Sequence, residues 1–153
     1  MVTMLRMGGH NDRYYIIRLE PSHLTYPNAE LDWDRNWVRT KVTVKGGVFS
    51  GEYMAEFMTT DFEIFKQQLK MLDNDFSGMA TFGPLEQQLI LKIKGDGIGH
   101  FEVDCEATPE PHLGQSLTFT MTFDQTIIKD LVRQLDVITK KFPINGDFKI
   151  KNE

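Results

Sequence analysis

The chain has 153 residues, 41% hydrophobic and 25% charged, a size and composition suited to one globular domain that buries roughly two thirds of its unfolded surface. Its 17 basic and 22 acidic residues leave a net charge of −5, which argues against a nucleic-acid binder, because that role needs a basic stripe to displace counterions. The one cysteine, Cys105, excludes an intrachain disulfide and a multi-thiolate metal site, and no apolar run suits a signal peptide or membrane span, so a cytoplasmic protein without membrane contact is expected.

Residues 1–12 read as a flexible lead, with Gly8-Gly9 and Asn11-Asp12. Tyr15, Ile17 and Leu19 alternate in a first strand over about residues 13–20, and Pro21 and Pro27 bracket a loop to about Arg35. From Asn36 to Met58 two period-2 runs flank Gly46-Gly47, a β-hairpin pattern because both glycines take positive φ without strain. That turn pairs Val44 with Phe49, Val42 with Gly51, Thr40 with Tyr53 and Val38 with Ala55 on an apolar face. The opposite face carries Trp37, Arg39, Lys41 and Thr43 beside Ser50, Glu52, Met54 and Glu56.

Thr60-Asp61-Phe62-Glu63 has capping-box spacing, and Phe62, Phe65, Leu69 and Leu72 follow at helical steps, ending at Asp73-Asn74-Asp75. A strand is expected over residues 76–82, stopped by Gly83-Pro84. Leu89, Leu91 and Ile93 alternate before Gly95-Asp96-Gly97-Ile98-Gly99, and Phe101, Val103 and Cys105 alternate after it. Pairing Ile93 with Phe101 keeps both sets on one face and sets Lys92 opposite Glu102. Leu117 to Phe123 alternates with threonines, and a final helix carries Ile128, Leu131, Leu135, Ile138 and Phe142. Residues 144–153 read as a polar tail. Tyr53, Phe62, Phe65 and Leu69 recur as Phe119, Ile128, Leu131 and Leu135 at constant offset. A duplication and two strand–helix units obeying the same periodicities both account for that echo.

Candidate chemistry is sparse. His10, His23, His100 and His112 fit no metalloprotease or CxxC-type spacing, and no GxSxG elbow occurs, so no catalytic, metal or cofactor residues are assigned. The glycine-rich run at 95–99 is followed by a strand, whereas a phosphate loop needs a helix there. Asp32 and Asp34 lack the further carboxylates of a calcium loop. The outer sheet face is the more informative constellation. Glu52 and Glu56, then Glu102, Asp104 and Glu106, share strand faces with Trp37, while Trp33 and Asp34 lie just upstream; these eight are the candidate partner-binding residues.

Asp34-x-Asn36-Trp37-Val38, Phe49-Ser50-Gly51, Gly95-Asp96-Gly97-Ile98-Gly99-His100 and Phe123-Asp124-Gln125-Thr126, in this order over about residues 14–140, resemble the WapI-type bacterial immunity proteins. The resemblance implies a cytoplasmic antidote that binds the toxin domain of a YD-repeat or Rhs-like contact-dependent surface protein, such as a nuclease, and implies no catalytic residues. The expected fold is α+β, a mainly antiparallel twisted sheet of about seven strands with two amphipathic helices on one face. The expected function is a non-enzymatic immunity protein acting through an acidic surface on a cognate toxin domain, without cofactor. The alternative is an enzyme or small-ligand binder with a pocket between sheet and helices near His100.

Overall fold

The computed structural model describes residues 3–9 and 14–147. His10, both ends of the expected flexible lead and the end of the polar tail lie outside the described residues. Two antiparallel four-stranded meanders are each followed by a 17-residue helix. The first comprises β1 (Leu5–Gly8), β2 (Tyr15–Leu24), β3 (Trp37–Gly46) and β4 (Phe49–Met58), then α1 (Thr59–Asp75). The second comprises β5 (Ser77–Phe82), β6 (Leu89–Asp96), β7 (His100–Ala107) and β8 (Leu117–Asp124), then α2 (Gln125–Lys141). The α+β class holds, and the eight strands among the described residues divide between two sheets. Both helices recur 66 positions apart, from residue 59 to 125 at their starts and from 75 to 141 at their ends. The echo therefore extends to the whole four-strand-plus-helix order.

The alternation in each strand is amphipathic, so each sheet buries one face. The buried sides of both sheets and both helices form one continuous core around Phe57, Phe62, Phe65, Phe82, Phe101 and Phe123. Phe82 meets the rings of Phe57, Phe62 and Phe65 at centroid distances of 5.0, 5.5 and 5.6 Å, which ties the first half to the second. The helices pack on each other and are clasped by buried Lys66, whose ammonium reaches Thr139 at 3.0 Å, Glu63 at 3.1 Å and Asp136 at 3.3 Å. Three charge-assisted partners offset the cost of removing that cation from water.

Several expectations are corrected. Part of the supposed flexible lead is β1, whose Leu5 and Met7 are buried. β2 continues through Pro21 to Leu24, with a register shift between Pro21 and His23 that accommodates the missing N–H. The first hairpin turns at Gly47-Val48, not Gly46-Gly47, so its pairs are Val44 with Gly51, Val42 with Tyr53, Thr40 with Ala55 and Arg39 with Glu56. Gly46 lies inside β3 because Phe119 packs on it, leaving no room for a side chain. The second hairpin is likewise two residues off: Ile93 opposes Val103, Lys92 opposes Asp104 and Lys94 opposes Glu102. The α1 cap lies two residues early, at Met58, and the capping carboxylate is Asp61, which accepts the Met58 N–H at 2.7 Å; Thr60 and Glu63 do not form the cap. The helix runs through Asp75 and ends on Phe76, which takes a left-handed conformation with φ 57°.

Candidate partner-binding surface

The candidate residues fall on two different outer faces and do not share a single one, because their strands belong to separate sheets. On the first sheet, Glu52 and Glu56 lie among bases. Glu56 binds Arg39 at 3.0 Å and accepts the Thr25 hydroxyl at 2.5 Å, and Glu52 binds Lys41 at 3.3 Å. This face is charge-balanced and is not an acidic patch.

On the second sheet, β7 displays Glu102, Asp104 and Glu106 on one exposed row. Lys92 and Lys94 on β6 stand in register with Asp104 and Glu102, and Thr120 and Thr122 on β8 flank the other side. Asp104 accepts the Thr120 hydroxyl at 2.9 Å. None of the three carboxylates is held in an ion pair among the described residues. The row is exposed and no helix covers it, and Lys92 and Lys94 oppose two of its three carboxylates.

Trp33 is exposed at 45%, Asp34 opens a short 3-10 turn, and Trp37 is half-buried at the start of β3. The residue between them is structural. Asn36 is fully buried, accepts the Thr59 hydroxyl at 2.6 Å and the Asn145 N–H at 2.8 Å, and donates to the Asp32 and Asn145 carbonyls at 2.9 and 3.0 Å. One side chain thereby ties the entry of β3, the first turn of α1 and the segment after α2.

His100 does sit beside a carboxylate: its Nδ1 lies 2.9 Å from Asp96 Oδ2. Asp96 Oδ1 also accepts the N–H groups of Ile98 and His100 at 2.8 and 3.1 Å. The Ile98 N–H foremost, then the His100 N–H and ring, hold the Asp96 carboxyl below its ordinary range. The histidine side chain is 68% exposed in an open depression of about 340 Å³, not in a deep cleft between sheet and helices. The glycine-rich run instead locks the fold. Gly97 N–H bonds the Phe76 carbonyl at 2.7 Å, Gln125 N–H bonds the Gly99 carbonyl at 3.1 Å, and Gly97 and Gly99 take φ of 88° and 103°. The end of α1 is thereby tied to the start of α2, where Asp124 accepts the Thr126 N–H at 3.0 Å and occupies the place an anion would take.

Cys105 is buried, and burial, then the nearby Glu106 carboxylate, pushes its thiol up to about 12, so it is an inert apolar side chain. Among the described residues no three His, Cys, Asp or Glu converge to hold a metal ion, and no helix is long and apolar enough to cross a membrane.

The structure also forms a feature that strand patterning did not reveal. Gln88 joins the two sheets: its carbonyl accepts the Tyr53 hydroxyl at 2.5 Å and the Thr108 N–H at 3.1 Å. Its side chain accepts the Glu56 N–H and donates to the Pro109 carbonyl, both at 3.0 Å. Burial pushes the Tyr53 phenol above its ordinary range, keeping it a neutral donor. Beside this junction lies an open groove of about 770 Å³, which brings Trp37 and Glu56 together with residues from the 85–88 and 109–113 loops. Loop residues carry no periodicity, and only the two prolines near 110 marked that segment in the sequence.

The family model of the immunity protein WapI-like family matches residues 5–143. No curated protein matches the chain. Among solved structures, it is similar to the plant transcriptional regulator PBF-2, with 12% identity, 93% of this chain and 81% of the other covered, and a TM-score of 0.50. WHY1 from Arabidopsis thaliana matches at 10% identity over 94% of this chain and 85% of the other, with a TM-score of 0.45. At these identities the likeness to PBF-2 concerns the fold alone. The family match spans most of the chain and includes every motif on which the resemblance rests, and the chain belongs to the immunity protein WapI-like family.

Proposed function

We propose that the chain binds a cognate toxin domain, a nuclease in this reading, and neutralises it by covering the basic surface that receives substrate or an exosite beside it. The observation that carries the reading is the family match over residues 5–143. The row Glu102, Asp104 and Glu106 supports it, since exposed carboxylates outside ion pairs steer a basic partner toward the second sheet. The role calls for no catalytic step by this chain. The test uses the cognate toxin domain, to be sought among the genes that neighbour this one. Mixing the purified proteins is expected to give a stable 1:1 complex by light scattering and to suppress nuclease turnover. Full toxin activity at saturating concentrations of this chain would overturn the reading.

A further inference from the structure

The groove at the sheet junction has walls that are already ordered. Gln88 anchors its floor through four hydrogen bonds to two segments, β4 and the loop at Thr108 and Pro109, and Gln87 holds a φ of 57° at its edge. Its apolar side chains nevertheless face water: Tyr26 is 55% exposed, Leu85 67% and Leu113 70%. An ordered recess with uncovered aromatic and aliphatic groups gains free energy when a partner removes them from water, without first ordering its own chain.

Charge narrows the choice of partner. Glu56, Glu86 and Glu110 line the groove, and no lysine or arginine does. Glu56 is occupied by Arg39 and Thr25, but Glu86 and Glu110 form no ion pair among the described residues. A nucleic acid brought here would set its phosphates against the unpaired carboxylates of Glu86 and Glu110, with no lysine or arginine lining the groove to receive them. A lysine or arginine within an apolar segment fits both properties, its methylene stem on the apolar wall and its head at a free carboxylate.

We propose that this groove is a second docking point for the toxin and takes a segment in which an arginine or lysine stands among apolar side chains. The identity of that partner rests on the immunity reading; the chemistry the groove selects does not. The row on β7 then governs encounter, while the groove governs how long the complex lasts.

The test has two arms. In the first, the isotope-labelled full chain is titrated with acetyl-Leu-Arg-Trp-Arg-Leu-amide and with the same peptide carrying glutamate for each arginine. The arginine peptide is expected to shift amides at 85–88 and 110–113 saturably. The paired change Glu86→Gln with Glu110→Gln is expected to weaken it at least roughly fivefold. No shift, shifts elsewhere, or an equal response to the acidic peptide would overturn the proposal. In the second arm, Leu113→Asp added to that pair is expected to raise the Kd for the toxin domain about tenfold or more, with thermal unfolding unchanged. A toxin that binds wild type and this variant equally overturns the groove and leaves the immunity reading standing. A toxin that binds neither overturns the immunity reading, while the peptide arm still decides the groove.

Discussion

The Gln68 side-chain oxygen accepts the Thr81 N–H at 2.7 Å, so the helix that ends the first half caps the strand that opens the second. Gln134, 66 positions later, does the reciprocal: its oxygen accepts the Arg6 N–H at 2.6 Å and its amide donates to the Arg6 carbonyl at 3.3 Å. β1 and β5 are both sheet edges, and each glutamine pairs backbone that would otherwise stand open to another chain. Gln68→Leu and Gln134→Leu are each expected to lose about 1 kcal/mol in urea unfolding and, lying far apart, to add in the double variant. The amides of Thr81 and Arg6 should exchange faster in the matching variant. Unchanged exchange at those two positions would show that the caps contribute nothing.

Asn36 is a stronger structural link than its place in a recognition-like motif suggests. Asn36→Leu strands the Thr59 hydroxyl and the Asn145 N–H without their shared acceptor. A loss of about 3 kcal/mol is expected, with protection lost first near residue 145. Thr59→Val removes only one of those bonds and should cost about 1 kcal/mol. Chemical denaturation of both variants checks the ratio.

Asp61 predicts a pH effect of defined sign. Burial raises its carboxyl from 3.8 to about 6, against the lowering effect of the Met58 N–H. Between those values the folded chain holds a proton that the unfolded chain has released, so stability falls as pH rises from 4 to 6 and the penalty persists at neutral pH. At about 1.4 kcal/mol per unit the contribution is at most about 3 kcal/mol. Asp61→Asn should flatten that part of the stability–pH curve and leave the chain as stable as wild type, or more so, at pH 7. Parallel curves for the two proteins would remove the effect.

Gly95 meets backbone where Gly51 does not. A methyl group at Gly95 would run into the Phe76 carbonyl, which is fixed by the left-handed end of α1, whereas one at Gly51 meets only a Val44 methyl at 3.9 Å. Gly95→Ala should therefore lower stability by about 1–3 kcal/mol, and Gly51→Ala should stay within about 0.5 kcal/mol of wild type. Thermal unfolding distinguishes them.

The outer faces of the two sheets should respond differently to charge reversal. Glu102→Lys with Asp104→Lys removes unpaired charge from the exposed row, so toxin association should slow about tenfold at low salt, with the gap closing as salt rises. Glu52→Lys alters a carboxylate already held by Lys41 and should change association less than about threefold. Stopped-flow binding at two ionic strengths measures both. Equal slowing would place the steering charge on net balance and not on β7.

Side-chain parity was legible without coordinates. Val38, Thr40, Val42 and Val44 are buried and Arg39, Lys41 and Thr43 are not, as period-2 alternation requires. Helical spacing likewise identified Phe62, Phe65 and Leu69 on α1, and Ile128, Leu131 and Leu135 on α2, as core. Alternation constrains only the face, however, so a slip of two residues leaves it satisfied. Both hairpin turns are also held by contacts from elsewhere, Phe119 on Gly46 and the Phe76 carbonyl on the Gly97 N–H. β1 was invisible because four residues carry too little periodicity, and its partners are β2 and a glutamine 128 positions away.

The sequence by itself determined the α+β class, the amphipathic faces, the motifs of the immunity family and the absence of any recognisable catalytic spacing, all properties of neighbours along the chain. Only the tertiary structure decided that the strands form two sheets, that Glu52 and Glu102 lie on different faces, and that Trp37 shares a groove with Glu86 and Glu110. The physical reason is distance along the chain. Local propensity and periodicity act over a few residues, whereas sheet partition and the groove depend on where helices and loops dozens of positions apart can pack without clashing or leaving backbone unpaired.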